Sequence, residues 1–170
     1  ETQSGALVHA CGAADDAKFG FYVWLPRLLD LFARHDLHAT FAAPAVVAET
    51  YPDRIRELVA RGHEVAAHGL RHEDVSRLDP DEEARRLAAT TETITTIAGQ
   101  SPTGWFSLPR QQDPFAGGRI SARTMDLLID AGYEYMGNGM ADDIPHWWVT
   151  DFASRRAILT LPYYCHFDDQ

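Results

Sequence analysis

Two imidazoles four residues apart, in the run His68-Gly69-Leu70-Arg71-His72, are the first side chains here that could do chemistry. On one turn of helix they would face the same side and could hold one cation. The same spacing also fits a solvated or capping pair of histidines. Position favours the metal: the pair directly follows His63 to Ala67, which reads as a strand, and active sites gather where strands end in loops. The other close pairs are weaker. His35 and His38 flank a helix end and read as surface residues, and His63, after Gly62, reads as structural.

Two ligands are too few. A catalytic metal usually keeps three protein ligands and one open position. Carboxylates are offered by Asp15-Asp16, Asp142-Asp143 and Asp168-Asp169. Asp15-Asp16 follows the first expected strand closely, so it falls at the same end of a sheet as His68 and His72. One carboxylate could bind metal and the other act as base, although any single Asp-Asp pair also fits an acidic surface loop. Cys11 and Cys165 lie at opposite ends of the chain and read as free thiols.

The elements that must position these residues alternate between strand and helix. Strands are expected at Ala6–Cys11, Leu37–Ala42, His63–Ala67, Gly104–Leu108, Tyr133–Met136 and Ala157–Leu161. Helices are expected at Trp24–Arg34, Pro52–Arg61, Asp79–Ala98 and Ser121–Ala131, with a loop over Gln111–Arg119. In the first helix Leu25, Leu28, Leu29 and Phe32 share a face. In the third, Asp79, Pro80 and Glu82 have the spacing of a capping box. Such alternation calls for parallel strands covered by helices, in an open sheet or a closed barrel.

The chain has 170 residues, 45% hydrophobic and 24% charged, which suits one domain over 1–170. Its net charge of −10 argues against a nucleic-acid partner. No apolar run approaches the roughly 18 residues of a membrane span. No leader is visible, which favours the cytoplasm as an expectation, although the chain begins at Glu1 rather than Met. Nothing in the sequence fixes whether the chain forms a homo-oligomer.

The ordered motifs resemble one family. Gly62 to His72 resembles the second motif of the polysaccharide deacetylases (NodB homology). Leu37-His38-Ala39-Thr40-Phe41, Ile97 to Pro102 and Thr124 to Tyr135 are similar to its other landmarks, in the same order. Ala141 to Trp148 and Leu161 to Asp169 resemble a subgroup that includes peptidoglycan deacetylase-like and allantoinase-like proteins. The resemblance implies an α/β fold of the distorted (β/α) barrel type. It implies a divalent metal, with Zn²⁺ expected, held by Asp16, His68 and His72, and Asp15 as the base.

The reaction so implied is hydrolysis of a carbon–nitrogen amide bond, with an N-acylated sugar or glycan as first substrate class. A small amide, ureide or cyclic imide is the alternative, and a non-catalytic binding module of the same fold is a third. His166 is the candidate acid, oriented by Asp168 or Asp169. The substrate side is assigned to Trp105, Pro109, Arg110, Trp147 and Asp169, with core packing favoured for Trp105. Of the neighbours Trp147 and Trp148, one is expected in the core and one available. Two motifs depart from the family pattern. Ala13-Ala14 precede the aspartates, and Ser107-Leu108-Pro109 stands where Arg-x-Pro is usual, with Arg110 displaced. Without that arginine the base lacks a partner that favours its ionised form.

Overall fold

The computed structural model describes residues 20–108, 119–139 and 144–162. The expected strand Ala6–Cys11 and the expected site residues Asp15, Asp16, Pro109, Arg110, His166, Asp168 and Asp169 lie outside the described residues.

Six strands of the described residues form one sheet: β1 (Thr40–Ala43), β2 (Glu64–Ala67), β3 (Gly104–Phe106), β4 (Tyr135–Gly139), β5 (His146–Asp151) and β6 (Arg156–Pro162). Their order is β1-β2-β3-β4-β6-β5. All neighbours pair in parallel except β5 with β6. The α/β class expected from alternation therefore holds, and among the described residues the sheet is open rather than closed on itself. Strand β5 departs from the all-parallel expectation: it forms a hairpin with β6, because a short connection over 152–155 can join strands only antiparallel.

Among the described residues five α-helices accompany the sheet: α1 (Leu25–Arg34), α2 (Ala45–Thr50), α3 (Pro52–Ala60), α4 (Pro80–Ala98) and α5 (Thr124–Asp130). A π-helical turn, Gly20–Trp24, leads into α1 where the sequence suggested only the helix start. The short α2 was not expected either. It follows Pro44, whose extended backbone and missing N–H suit the residue before a first turn. In α1 Leu29 is fully buried, whereas Leu28 of the predicted face is exposed. In α4 the buried positions Glu83, Leu87, Thr90 and Ile94 step by four, three and four, the stripe of a helix lying on a sheet. Asp79 caps α4 as expected, accepting from the N–H groups of Asp81 and Glu82 at 3.1 and 3.0 Å. The capping box is not completed, because the Glu82 carboxylate is taken up by Arg85 and Arg86.

Strand partners share a face. Ala43, Val65, Ala67, Trp105, Met136 and Ile158 form one face and join helix residues such as Leu29, Ile55, Leu87 and Leu128 in the core. The opposite face carries Glu64, Phe106 and Tyr135. There, at the amino edge of the sheet, the Glu64 carboxylate accepts three hydroxyl bonds. They come from Thr40 (2.6 Å), Thr103 (2.8 Å) and Tyr135 (2.9 Å), so one residue ties β1, β2, β4 and the entry to β3. Tyr135 reaches it by lying over Gly104, where an added Cβ would meet the ring at 2.1 Å.

Candidate metal site

Strand β2 ends at Ala67, and the His68 N–H still donates to the Ala43 carbonyl at 3.1 Å. One step of alternation beyond Ala67 puts His68 on the face of Glu64 and Phe106, at the carboxyl end of the sheet. The chain then leaves the ladder. The His68–His72 spacing is realised by a non-helical turn, not by the helical turn the spacing suggested. Gly69 and His72 both take left-handed backbone conformations, with φ of 77° and 60°. Glycine adopts this freely, but a histidine does so at a cost of about 1 kcal/mol. The rings still meet, with centroids 4.4 Å apart at a steep angle.

The turn is held from two sides. The carbonyls of Gly69 and Leu70 accept from the N–H groups of Ala45 and Val46, both at 3.0 Å, so the first turn of α2 docks on it. From the other side the Glu73 carboxylate accepts from Leu70 N–H (3.2 Å) and Arg71 N–H (2.5 Å), and Arg86 lies 3.6 Å away. Asp74 then caps the 3₁₀ turn Val75–Arg77 and receives Arg119 at 3.1 Å. Arg119 N–H also donates to the Leu108 carbonyl at 2.7 Å, tying β3's exit to this region. Sequence reasoning missed Glu73 and Asp74. Their signal was available: acidic side chains one and two positions after the second histidine, within reach of a turn whose N–H groups need acceptors.

The ring chemistry suits metal ligation. His68 Nδ1 lies 2.8 Å from the Phe106 carbonyl, and since a carbonyl only accepts, Nδ1 carries the hydrogen. That leaves the Nε2 lone pair free, the arrangement found behind most ligating histidines. His72 Nδ1 is buried with no hydrogen-bond partner. Burial lowers the pKa of His68, opposed by the Phe106 bond and Glu73. Burial and then the neighbouring His68 lower His72 to about 4, with Glu73 opposing. Both rings are therefore neutral near pH 7, as ligands must be. Among the described residues no third His, Cys, Asp or Glu converges on the pair.

The remaining described candidates separate. Trp105 is 2% exposed and meets Tyr133 edge-on in the core, so it does not form a substrate wall. Trp147 and Trp148 are 64% and 41% exposed, so neither fills the core as one of them was expected to. Trp147 is in register with Leu159, which pairs with Tyr135, and so lies on the sheet face that carries His68. Ser107, in the place of the motif arginine, is 4% exposed, and its hydroxyl has no partner. His63 is buried and accepts the Ala39 N–H, as a structural histidine should, whereas His35 and His38 are exposed.

The chain belongs to the polysaccharide deacetylase family, whose sequence profile matches residues 15–136. A relative is the peptidoglycan deacetylase of Helicobacter pylori, 32% identical over 138 residues, covering 79% of this chain and 44% of that protein. The fold is also that of the PuuE allantoinase crystal structure, with a TM-score of 0.71 and 29% identity over 86% of this chain and 45% of that one. A Mycobacterium smegmatis structure, described provisionally as a polysaccharide deacetylase, gives a TM-score of 0.79 at 27% identity. It covers 99% of this chain and 57% of the other. The chain thus spans about half the length of these relatives. No helix among the described residues is long and apolar enough to cross a membrane.

Proposed function

We propose that this chain carries the metal site of a hydrolase that removes an acyl group from the nitrogen of an amino sugar in a glycan. The observation that carries the reading is the ligand turn: two neutral rings brought together, one with its far nitrogen fixed by Phe106 and one with a buried, unpartnered nitrogen. An orphaned buried nitrogen costs about 1–3 kcal/mol. A cation at this position would satisfy it, so the residues present fit a metal.

In this reading His68 and His72 hold a divalent ion, Zn²⁺ by the nitrogen-rich donor set, with Asp16 as third ligand. When bound, such an ion polarises an amide carbonyl and lowers the pKa of water. The chain's own residues do the rest. Asp15 takes the proton of the attacking water as general base, and His166, oriented by Asp168 or Asp169, returns a proton to the leaving amine. Trp147 offers an exposed ring on His68's face of the sheet, suited to stacking on a sugar. Pro109, Arg110 and Asp169 complete the substrate side.

Support for the sugar comes from the relatives: besides the Helicobacter pylori protein, a chitooligosaccharide deacetylase of Bradyrhizobium is 34% identical over 76 residues, 45% of this chain and 35% of that protein. The likeness to an allantoinase favours a second reading, a small ureide or cyclic amide as substrate. The test is acetate release from N-acetylated chito-oligosaccharides, with allantoin hydrolysis measured beside it. Acetate release that is stopped by a chelator, restored by Zn²⁺ and lost in Asp15→Asn supports the proposal. Hydrolysis of allantoin alone moves the assignment to the second reading.

A further inference from the structure

We infer that Phe21, Tyr22 and Tyr51, with Arg54, form a distal subsite that binds a sugar ring of the glycan beyond the one being deacylated. The inference rests on the glycan reading above.

The cluster lies at the same end of the sheet as the histidines. Helix α1 leads into β1 and α3 leads into β2, and each of these strands starts at the amino edge of the sheet. Both helices therefore run against the strands, and their first residues, Leu25 and Pro52, lie at the carboxyl end. Gly20–Trp24 enters α1 there, and Tyr51 precedes α3 there.

The rings are held in place. Phe21 stacks on Tyr51 with centroids 4.1 Å apart and planes 17° apart. Tyr22 meets Tyr51 edge-on at 6.5 Å, and the Arg54 guanidinium sits 5.3 Å from the Tyr22 centroid. Arg54 is itself fixed by Glu57 at 2.6 Å. Yet Tyr22 remains 58% exposed. A ring oriented by an aromatic neighbour and a cation while more than half open to water is a preorganised stacking surface. Carbohydrate suits it better than an apolar partner: the tyrosine hydroxyl and the guanidinium offer hydrogen bonds beside an apolar ring face, matching the hydroxyls and C–H face of a pyranose.

The reach also fits. The first turn of α2 is bonded to Gly69 and Leu70, and six residues later the chain arrives at Tyr51. A helix of that length rises about 9 Å, longer than a single sugar ring and within the length of a short oligosaccharide. A monosaccharide at the histidines would not touch it, and a tetramer would.

The test compares N-acetylglucosamine with its β-1,4-linked tetramer, measuring binding by calorimetry and acetate release by kinetics in wild type, Tyr22→Ala and Tyr22→Phe. The expected result is roughly tenfold weaker tetramer binding and a matching rise in KM for Tyr22→Ala, with kcat unchanged. The monosaccharide should be unaffected, and Tyr22→Phe should keep most of the tetramer affinity. Arg54→Met, which frees the ring without removing it, should give an intermediate loss. Tetramer binding in folded Tyr22→Ala equal to wild type overturns the subsite and leaves deacylation standing if acetate is still released. No binding and no release with either sugar in wild type overturns both.

Discussion

Replacing Glu73 by alanine should loosen the turn that carries His68 and His72 without touching either ring. Its carboxylate accepts two backbone N–H groups, from Leu70 and Arg71, and its side chain is 8% exposed. Hydrogen bonds to a charged acceptor contribute about 1.5–3 kcal/mol each. Arg71 is exposed and water can replace its bond, so the sum is taken as about 2–3 kcal/mol. The more distant Arg86 adds a few tenths at most. For a domain of this size that corresponds to a fall in Tm of roughly 5–10 °C. Because the turn also fixes His72 in its left-handed conformation, metal affinity should fall about 10–100-fold, the usual effect of removing an outer-shell partner. Glu73→Gln, which keeps one acceptor oxygen, should show about half the loss of Glu73→Ala. Thermal unfolding of the metal-free protein and a competition titration with a chromogenic chelator read the two effects. A Tm within about 1 °C of wild type and unchanged affinity would refute the claim that Glu73 builds the turn.

Two further predictions bear on the same fold. The pKa of His72 is about 4 in the fold against 6.5 for the free side chain, so the unfolded chain binds more protons between these values. The part of the metal-free protein's stability linked to His72 is then complete above pH 6.5 and is lost as pH falls toward about 4, with His68 shifting in the same direction. Urea unfolding at pH 7.5 and 5 should show a larger loss in wild type than in His72→Asn, and equal losses would contradict it. At the other edge of the sheet, Glu64→Ala removes the acceptor shared by Thr40, Thr103 and Tyr135; water can replace it at the two exposed threonines but less readily at half-buried Tyr135, so the cost should be about 1–2 kcal/mol. Metal affinity should not change, since Glu64 precedes His68 by four residues, roughly 13 Å along the strand. A shift in affinity would show that the two edges are coupled.

Strand and helix alternation was legible in the sequence because each element carries its own punctuation: Asp79 and Pro80 start α4, Gly99 ends it in a left-handed turn, and Gly62 closes the turn after α3. The His68–His72 pair was legible from spacing and from its place after a strand. Its geometry was not, since a spacing of four suggests a helix, and only the tertiary bonds from α2 and Glu73 impose the left-handed turn that replaces it. The face of a strand residue was also hidden. Trp105 and Trp147 are alike in type, but register with Met136 sends one to the core, and register with Leu159 sets the other on the face of His68. Strand β5 was not assigned although Pro145 precedes it and Asp151 ends it, because Trp147-Trp148 fits a strand or a loop equally and only the antiparallel pairing with β6 decides between them. The aromatic cluster escaped because Tyr22 and Tyr51 are distant in sequence and meet only when the starts of α1 and α3 reach the same end of the sheet.

The central claim, a divalent ion held by this turn, is tested most directly by metal content. The protein is loaded with Zn²⁺, dialysed and measured by mass spectrometry in wild type, His68→Ala and His72→Ala. The account predicts about one ion per chain in wild type and loss of it in both variants. Equal metal in all three proteins, or none in a folded wild type after loading, would contradict it.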